Sequence, residues 1–580
     1  MIEFSRDTEA DTCRKYVLPV LYSNGWDDDH IAEQHYITSG KIQVVGNKHI
    51  RMKGKKPDYI LLHTPDYPIA VIEAKAFYKK PSDGLSQAKE YAEMLDVKFA
   101  YSTNGNGIVE FDYTTGKQSE IDRIPTPENL WKRYSAYREI SDKESEKILY
   151  PNNRQLLDWD GKPKKPRYYQ QVAINRACEA IFKGRKKALL TMATGTGKTF
   201  TAMQIIWKAW DQKWNLRGKD LHPKILYLAD RNILVDEPRK DYFDPVFGNA
   251  VHKISGEAVK GREIYFGIYQ ALADREDKVG LYSQFDRDFF DLIIVDECHR
   301  GSAREDSTWR EILEYFQPAT QIGMTATPRH TDNIDTYKYF GEPIYTYSLK
   351  QGIVDGFLAP YRVKRVVMNV DAKGLRFPEG TLDKYGNEIP DKAFSTSDYE
   401  RILCLASRNE IAAKYIVDYL NEAGIYDNKT IIFCVDQEHA EKIRDRIREI
   451  IPDVLIDNPD FCERVTSDEG NIGLNHLGNF KDVEKNSPGI LTSSQMLTTG
   501  VDMPTVKNVI LFAKIESLVT FKQIIGRGTR IREDKDKLWF TIIDFTGATE
   551  LFAEPKFDGP SEHLQIEIIN DDGEIEDVWA

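Results

Sequence analysis

Met192-Ala193-Thr194-Gly195-Thr196-Gly197-Lys198-Thr199 follows the apolar run Ala188-Leu189-Leu190 and leads into a stretch of helical periodicity. A strand, a glycine turn and a helix in that order aim backbone N–H groups at an anion. The helix N-terminus adds partial positive charge. Gly195 and Gly197 allow the tight turn around Thr196. On this reading Lys198 contacts the β- and γ-phosphates of ATP, and Thr199 ligates Mg2+. The general pattern G-x-x-x-x-G-K-T has glycine where Met192 stands, so taken alone the stretch also suits a glycine-rich turn. A second element decides the matter. Asp291-Leu292-Ile293-Ile294-Val295-Asp296-Glu297-Cys298-His299 is an apolar strand ending in two carboxylates, 98 residues after Lys198. A carboxylate at a strand end suits Mg2+, so Asp296 is its expected ligand, with Glu297 left to orient or deprotonate water.

Outward from these motifs, apolar strands at Ala188–Thr191, Ile225–Ala229, Ile264–Tyr269 and Leu292–Val295 alternate with helix-length segments. That alternation predicts a doubly wound parallel sheet over 167–350. A second set, over 351–550, includes Thr430–Val435, Gly489–Thr492, Asn508–Phe512 and Trp539–Phe545. Residues 368–400, rich in Gly and Pro, read as an insertion loop. The acidic stretch 570–577 reads as a frayed end, with 551–580 as a C-terminal extension.

The order of motifs resembles the superfamily 2 helicase-like motors, which tolerate a residue other than glycine at the position of Met192. Arg167-Tyr168-Tyr169-Gln170 resembles the adenine-reading segment, with Gln170 as the base contact. Gly323-Met324-Thr325-Ala326-Thr327-Pro328 is similar to the motif that couples nucleotide state to nucleic-acid grip, through Thr325, Ala326 and Thr327. Thr499-Gly500-Val501-Asp502 resembles the fifth motif. Gln523-Ile524-Ile525-Gly526-Arg527-Gly528-Thr529-Arg530 resembles the sixth. The resemblance implies that Gly500, Asp502 and Gln523 serve the nucleotide site, and that Arg527 and Arg530 face the γ-phosphate across the cleft. Two arginines there would neutralise transition-state charge when the lobes close.

The first 124 residues carry different chemistry. Pro57-Asp58 opens one apolar run (59–63), and Glu73-Ala74-Lys75 closes the next (69–75), with a turn signal between them. Glu73 and Lys75 are two apart on a predicted strand and share a face, and a hairpin would bring Asp58 beside them. Asp58 and Glu73 can then hold Mg2+, and Lys75 can position water or phosphate. On a predicted helix, Gln87 and Tyr91 share one face at i, i+4. Lys48 to Lys56 carries five Lys or Arg residues and no acid, which suits either a solvated loop or attraction to phosphate. This combination resembles the PD-(D/E)xK nuclease domain of type I restriction enzymes, in which a Q-x-x-x-Y helix follows the E-x-K. Such domains often add an acid from the first helix. Glu9 is the candidate, with Glu33 second. Residues 125–166, with several prolines, read as a connector carrying a helix near 129–144.

Nuclease first and motor second is the order of the R subunit of type I restriction enzymes; in the type III subunit the nuclease follows the motor. Ile124-Pro125-Thr126-Pro127-Glu128-Asn129-Leu130-Trp131 and Asp355-Gly356-Phe357-Leu358-Ala359-Pro360-Tyr361 are further family-like stretches. The expected fold is α/β: a PD-(D/E)xK domain followed by two RecA-like motor domains. The resemblance implies an ATP- and Mg2+-dependent translocase on double-stranded DNA that cuts away from a recognition site. Methylase and specificity subunits would hold that site. The alternatives are a stand-alone helicase–nuclease without a methylase, and a nucleic-acid sensor that no longer cuts. Family members usually continue into a helical C-terminal region, so this sequence reads as a fragment or a short branch.

Composition agrees. The chain has 580 residues, 41% hydrophobic and 29% charged, which is globular. A net charge of −13 excludes a generic polyanion binder but not a locally basic channel. Six cysteines without a C-x-x-C argue against a zinc ribbon or a disulfide scaffold and fit a reduced, cytoplasmic chain. No run of about 18 apolar residues occurs, so no membrane span is expected.

Overall fold

Strands buried on both faces need unbroken apolar runs. Such runs build the sheets of both motor lobes. A computed structural model describes residues 7–45, 48–151, 156–157, 161–273, 280–298, 308–327, 334–368, 406–494, 497, 501–515, 517–552, 554, 557–570 and 572–579. The expected insertion loop beyond Met368 lies outside the described residues, as do His299, Pro328, Thr499 and Gly500.

The N-terminal sheet has six strands in the order Ile31–Glu33, Tyr59–Thr64, Tyr67–Ala74, Phe99–Thr103, Ile108–Asp112 and Lys117–Ile121. All neighbours are antiparallel except Tyr67–Ala74 with Phe99–Thr103. The helix Leu85–Leu95 connects that parallel pair. It buries Leu85, Ala88, Tyr91, Ala92 and Leu95, a single stripe at helical spacing. The helix expected over 7–23 is α-helical at Glu9–Thr12 and Leu18–Ser23, with a π turn at Cys13–Val17 between them. The connector helix expected near 129–144 is two helices, Pro127–Arg138 and Asp142–Leu149. Glu139, at φ +53°, ends the first, and Ser141 opens the second with a capping box to Glu144.

The first motor sheet is wholly parallel, in the order Val251–Lys253, Ile264–Ile268, Ile225–Ala229, Leu292–Val295, Thr320–Thr325, Lys187–Met192 and Tyr345–Tyr347. One apolar core runs from Val17 and Tyr67 through Trp131 and Tyr169 to Tyr347. The N-terminal domain, the connector and the first lobe therefore bury one another's apolar faces. A polar clasp reinforces the joint: Arg176 pairs with Asp96 and Glu179, and Arg138 reaches Glu179 at 2.8 Å.

The second motor sheet runs Cys462–Arg464, Ile490–Ser493, Lys429–Phe433, Val506–Leu511, Phe540–Asp544, Tyr361–Met368, His563–Ile569 and Ile575–Trp579. It is parallel except for the last pair. The expected frayed extension is thereby corrected. Residues 563–569 pair with Tyr361–Met368 along their whole length, and 575–579 fold back as a charged edge strand. Its acidic composition concealed a buried position: Glu567 is satisfied by Lys364 and by the Tyr415 hydroxyl, each at 2.5 Å. The described cysteines are free thiols. No described helix is long and apolar enough to cross a membrane.

Candidate functional site

The strand order of the first lobe brings the motor motifs to one edge. Strands Lys187–Met192 and Leu292–Val295 flank Thr320–Thr325 in parallel, so the residues after all three strands meet at the sheet's carboxyl end. Gly195 and Gly197 take φ of +89° and +81°, as the phosphate turn requires. A Cβ on Gly197 would lie 2.5 Å from the Gln170 amide. That amide donates to the Thr196 carbonyl at 2.8 Å, and the Tyr169 hydroxyl donates to the same carbonyl at 3.1 Å. Gln170 thus braces the turn from the helix Tyr168–Phe182.

Lys198 opens the next helix. Its Nζ lies 3.2 Å from Glu297 Oε1 and donates to the Met192 carbonyl at 3.5 Å. Glu297 holds φ of +47°, uncommon for a side chain of its size, directly beside Asp296. Asp296 Oδ2 accepts from the Tyr227 hydroxyl at 2.5 Å, and Oδ1 accepts from the Glu297 N–H at 3.0 Å. Burial and the neighbouring Glu297 charge push the Asp296 carboxyl up, against the pull of Lys198. The Thr199 hydroxyl, one residue beyond Lys198, and the Asp296 carboxylate are hard oxygens of the kind suited to Mg2+. The Cys298 N–H donates to the Met324 carbonyl at 3.1 Å, which ties the carboxylate motif to Thr325-Ala326-Thr327. Within that motif Thr325 and Thr327 hydroxyls stand 3.1 Å apart, and Ala326 is buried.

The second lobe reaches across the cleft with Thr529 and Arg530. Thr529 Oγ1 donates to the Thr194 carbonyl at 3.4 Å, and Arg530 Nη1 to the Gly195 carbonyl at 2.6 Å. Asp502 grips Arg530 at both ends, at 2.9 and 3.1 Å. Partial loss of hydration in the cleft works to raise the exposed Asp502 carboxyl, but the Arg530 charge outweighs it and holds it low. Arg527 donates to the Val501 and Gln523 carbonyls of its own lobe, and Gln523 is buried beside it. Arg530 reaches the phosphate turn itself through the Gly195 carbonyl.

The N-terminal hairpin builds a second site. Asp58 precedes the strand Tyr59–Thr64, and Glu73 lies near the end of its partner. Asp58 Oδ2 accepts from the Ala74 N–H at 2.7 Å. Lys75 Nζ lies 2.9 Å from Glu73, 3.3 Å from Gln87 Oε1 and 3.3 Å from Glu9. Gln87 in turn donates to the Tyr91 hydroxyl at 2.9 Å. The structure therefore brings Asp58, Glu73, Lys75, Gln87, Tyr91 and Glu9 together. Glu33 is exposed, its backbone registered with Tyr59. Burial, then the Asp58 charge, pushes the Glu73 carboxyl up to about 7. Burial also raises Asp58, against donation from Ala74 and Gln34. Burial depresses the Lys75 ammonium, but Glu73 and Glu9 more than offset it. Glu73 Oε2 is buried without a hydrogen-bond partner. An orphaned carboxylate oxygen beside a second carboxylate fits a hard divalent cation, which removes the repulsion that raises both groups. Among the described residues no three His, Cys, Asp or Glu side chains form a metal cage, so backbone or water oxygens would complete the shell.

Sequence reasoning missed Gln34, which donates to Asp58 Oδ1 at 2.5 Å, and Tyr227. Neither stands in a motif. Each meets its carboxylate only because two strands pair.

Two RecA-like lobes closing on a phosphate turn, joined to an α/β domain with a buried carboxylate–lysine cluster, define a helicase-like motor carrying a nuclease-type domain. The family described as type III restriction enzyme, res subunit, matches residues 163–330, and the helicase conserved C-terminal domain matches 412–532. The EcoAI type I restriction enzyme endonuclease subunit of Escherichia coli is 44% identical over 97% of this chain and 69% of its own length. The EcoKI endonuclease subunit of E. coli K12 is 28% identical over 78% of this chain and 40% of its own. A solved fragment described as an HsdR subunit of a type I restriction enzyme from Vibrio vulnificus YJ016 matches at 48% identity and TM-score 0.84, covering 98% of this chain and 99% of that one. The chain belongs to the family of type I restriction enzyme endonuclease (R) subunits.

Proposed function

We propose that this chain hydrolyses ATP to drive its two lobes along double-stranded DNA, and that its N-terminal domain cuts that DNA away from a site held by methylase and specificity subunits. The observation that carries the reading is Arg530 of the second lobe on the Gly195 carbonyl of the first, in a chain whose separate N-terminal domain gathers Asp58, Glu73 and Lys75. Lys198 neutralises the β- and γ-phosphates, exchanging its Glu297 partner for them. Glu297 is then released to orient the attacking water. Arg530 adds positive charge only when the lobes are closed, so turnover is linked to lobe movement. Gln170 reads the base from the segment that already braces the turn. Thr199 and Asp296 would hold Mg2+ in the motor, and Asp58 and Glu73 in the nuclease. At both sites the ion supplies Lewis-acid stabilisation of phosphate charge. In the nuclease, Lys75 orients water or the scissile phosphate, and Glu9 and Gln87 fix its ammonium.

The test is ATP hydrolysis and cleavage by the chain with no DNA, single-stranded DNA and long duplex, with and without a type I methylase–specificity complex, at fixed low salt. Duplex-stimulated hydrolysis, and cutting that needs the complex, support the proposal. Full cutting without the complex would instead establish the stand-alone helicase–nuclease.

A further inference from the structure

Between the strand Ile31–Glu33 and the hairpin of Ile42–Val45 and Lys48–Arg51 runs a short segment, residues 34–40. One end of it grips the nuclease centre. Gln34 donates through Nε2 to Asp58 Oδ1 at 2.5 Å, and through its backbone N–H to the Asp58 carbonyl at 2.9 Å. It does so from φ of +50°, an uncommon conformation for a residue with a Cβ. The middle of the segment is locked. The Ile37 N–H donates to the Lys55 carbonyl at 3.0 Å, the Lys55 N–H donates to Thr38 Oγ1 at 2.8 Å, and Ile37 and Thr38 are buried.

The other end grips residues 348–360, which link the two motor sheets and so are the hinge through which the lobes would move. The Ser39 and Gly40 N–H groups donate to the Asp355 carbonyl at 2.9 and 3.1 Å. Gly356 packs so closely there that a Cβ on it would overlap the Gly40 carbonyl. The buried Asp355 carboxylate accepts from the Tyr168 hydroxyl at 2.5 Å and the Tyr347 hydroxyl at 2.7 Å. Tyr347 stacks on Tyr169 with centroids 3.9 Å apart, and Tyr169 donates to the phosphate-turn carbonyl of Thr196. Seven residues thus span from the nuclease carboxylate to the lobe hinge, with a donor at each end and little slack between.

We propose that Gln34 is a positioning residue for Asp58, and that segment 34–40 transmits the position of the interlobe hinge to the nuclease centre. This rests on the nuclease reading of Asp58. With both Asp58 oxygens held, by Ala74 and by Gln34, the carboxylate keeps one orientation toward a cation. Because the Lys55 contacts make segment 34–40 move with the chain that leads into Asp58, a hinge movement that shifts Ser39 and Gly40 displaces Gln34 and Asp58 together relative to Ala74 and Glu73 and loosens that orientation. Cutting competence then follows lobe position without any contact between DNA and this segment.

The test is Mn2+ binding to the nucleotide-free full chain, followed by electron paramagnetic resonance. Outer-sphere partners of metal-binding carboxylates typically change affinity 10- to 100-fold, so Gln34→Ala is expected to weaken Mn2+ binding by roughly that factor. Gln34→Gly, which keeps the positive φ without strain, is expected to match it, with ATP turnover unchanged in both as the check on folding. Gly356→Ala displaces the turn from the hinge, and Tyr168→Phe removes one hinge donor without packing loss. Both are expected to weaken Mn2+ binding, Tyr168→Phe the less. Wild-type affinity in the two Gln34 variants overturns the positioning role. Wild-type affinity in both hinge variants overturns the link. Asp58→Ala serves as control, and wild-type affinity there would overturn the nuclease reading itself.

Discussion

Glu73 is where cost and use meet in one side chain. Its side chain is 5% exposed, its carboxyl is raised to about 7 by burial and by Asp58, and one oxygen lacks a partner. The folded metal-free chain disfavours the charged form, so above pH 7 the group costs stability, on the order of 3 kcal/mol. That cost declines as pH falls below about 7 and is gone below the ordinary value of 4.5. Glu73→Gln is therefore expected to raise the melting temperature of the metal-free chain at pH 8, with a smaller gain at pH 5.5, while abolishing cutting. Equal gains at both pH values would contradict the burial argument. Lys198→Ala removes the charge that meets the phosphates and is expected to lower ATP hydrolysis by at least ~100-fold. Normal turnover in that variant would sink the phosphate-turn assignment. Both residues were legible in the sequence, Glu73 at a strand end and Lys198 at the helix start after a glycine turn, each within a local pattern. Gln34 was not: its partner is 24 residues away, and only the pairing of Ile31–Glu33 with Tyr59–Leu61 brings them together.

Among the elements, the short helix Leu518–Ile525 and the 3-10 turn Gly526–Gly528 aim the sixth motif. Ser517 caps the helix by accepting from the Thr520 N–H at 3.1 Å, and the turn presents Thr529 and Arg530 to the first lobe. Arg527 donates to carbonyls of its own lobe. Arg530→Ala is expected to lower the rate of hydrolysis by roughly 10³-fold with ATP affinity little changed, because its charge counts in the transition state. Single-turnover rates beside nucleotide-binding titrations check this, and a loss confined to binding would make the residue structural. Spacing placed both arginines on the motif but could not divide their roles, since that depends on which side of the turn faces Gly195. Element type followed periodicity closely at Leu85–Leu95. It failed at the acidic stretch 570–577, which runs into the edge strand Ile575–Trp579 on His563–Ile569, itself paired with Tyr361–Met368 about 200 residues earlier.

Across the whole molecule, one apolar core and a charged clasp bind the N-terminal domain to the first lobe. The Asp96 carboxyl, raised by burial but pulled lower still by Arg176 and Lys98, ends up below its ordinary 3.8. Its contribution is thus present above about pH 4 and is lost as pH falls through the depressed value. Asp96→Asn is expected to cost about 1–3 kcal/mol at pH 7 and less at pH 2.5, well below the ordinary 3.8. Denaturant unfolding at the two pH values tests this, and a cost independent of pH would assign the effect to packing. A shared core also predicts that the N-terminal domain unfolds with the first lobe rather than before it.

The sequence by itself determined the local chemistry: a glycine turn between strand and helix, carboxylates at strand ends, the motor motifs in order, and their membership of one family pattern. These follow from short-range periodicity and covalent order, where a few neighbouring residues set the backbone. Only the tertiary structure decided that Arg530 spans the cleft, that Gln34 holds Asp58, that Ser39 and Gly40 sit on Asp355, and that residues 563–569 and 575–579 join the second motor sheet. Each of those contacts joins segments tens to hundreds of residues apart. Their geometry comes from strand order and packing, on which no local pattern reports.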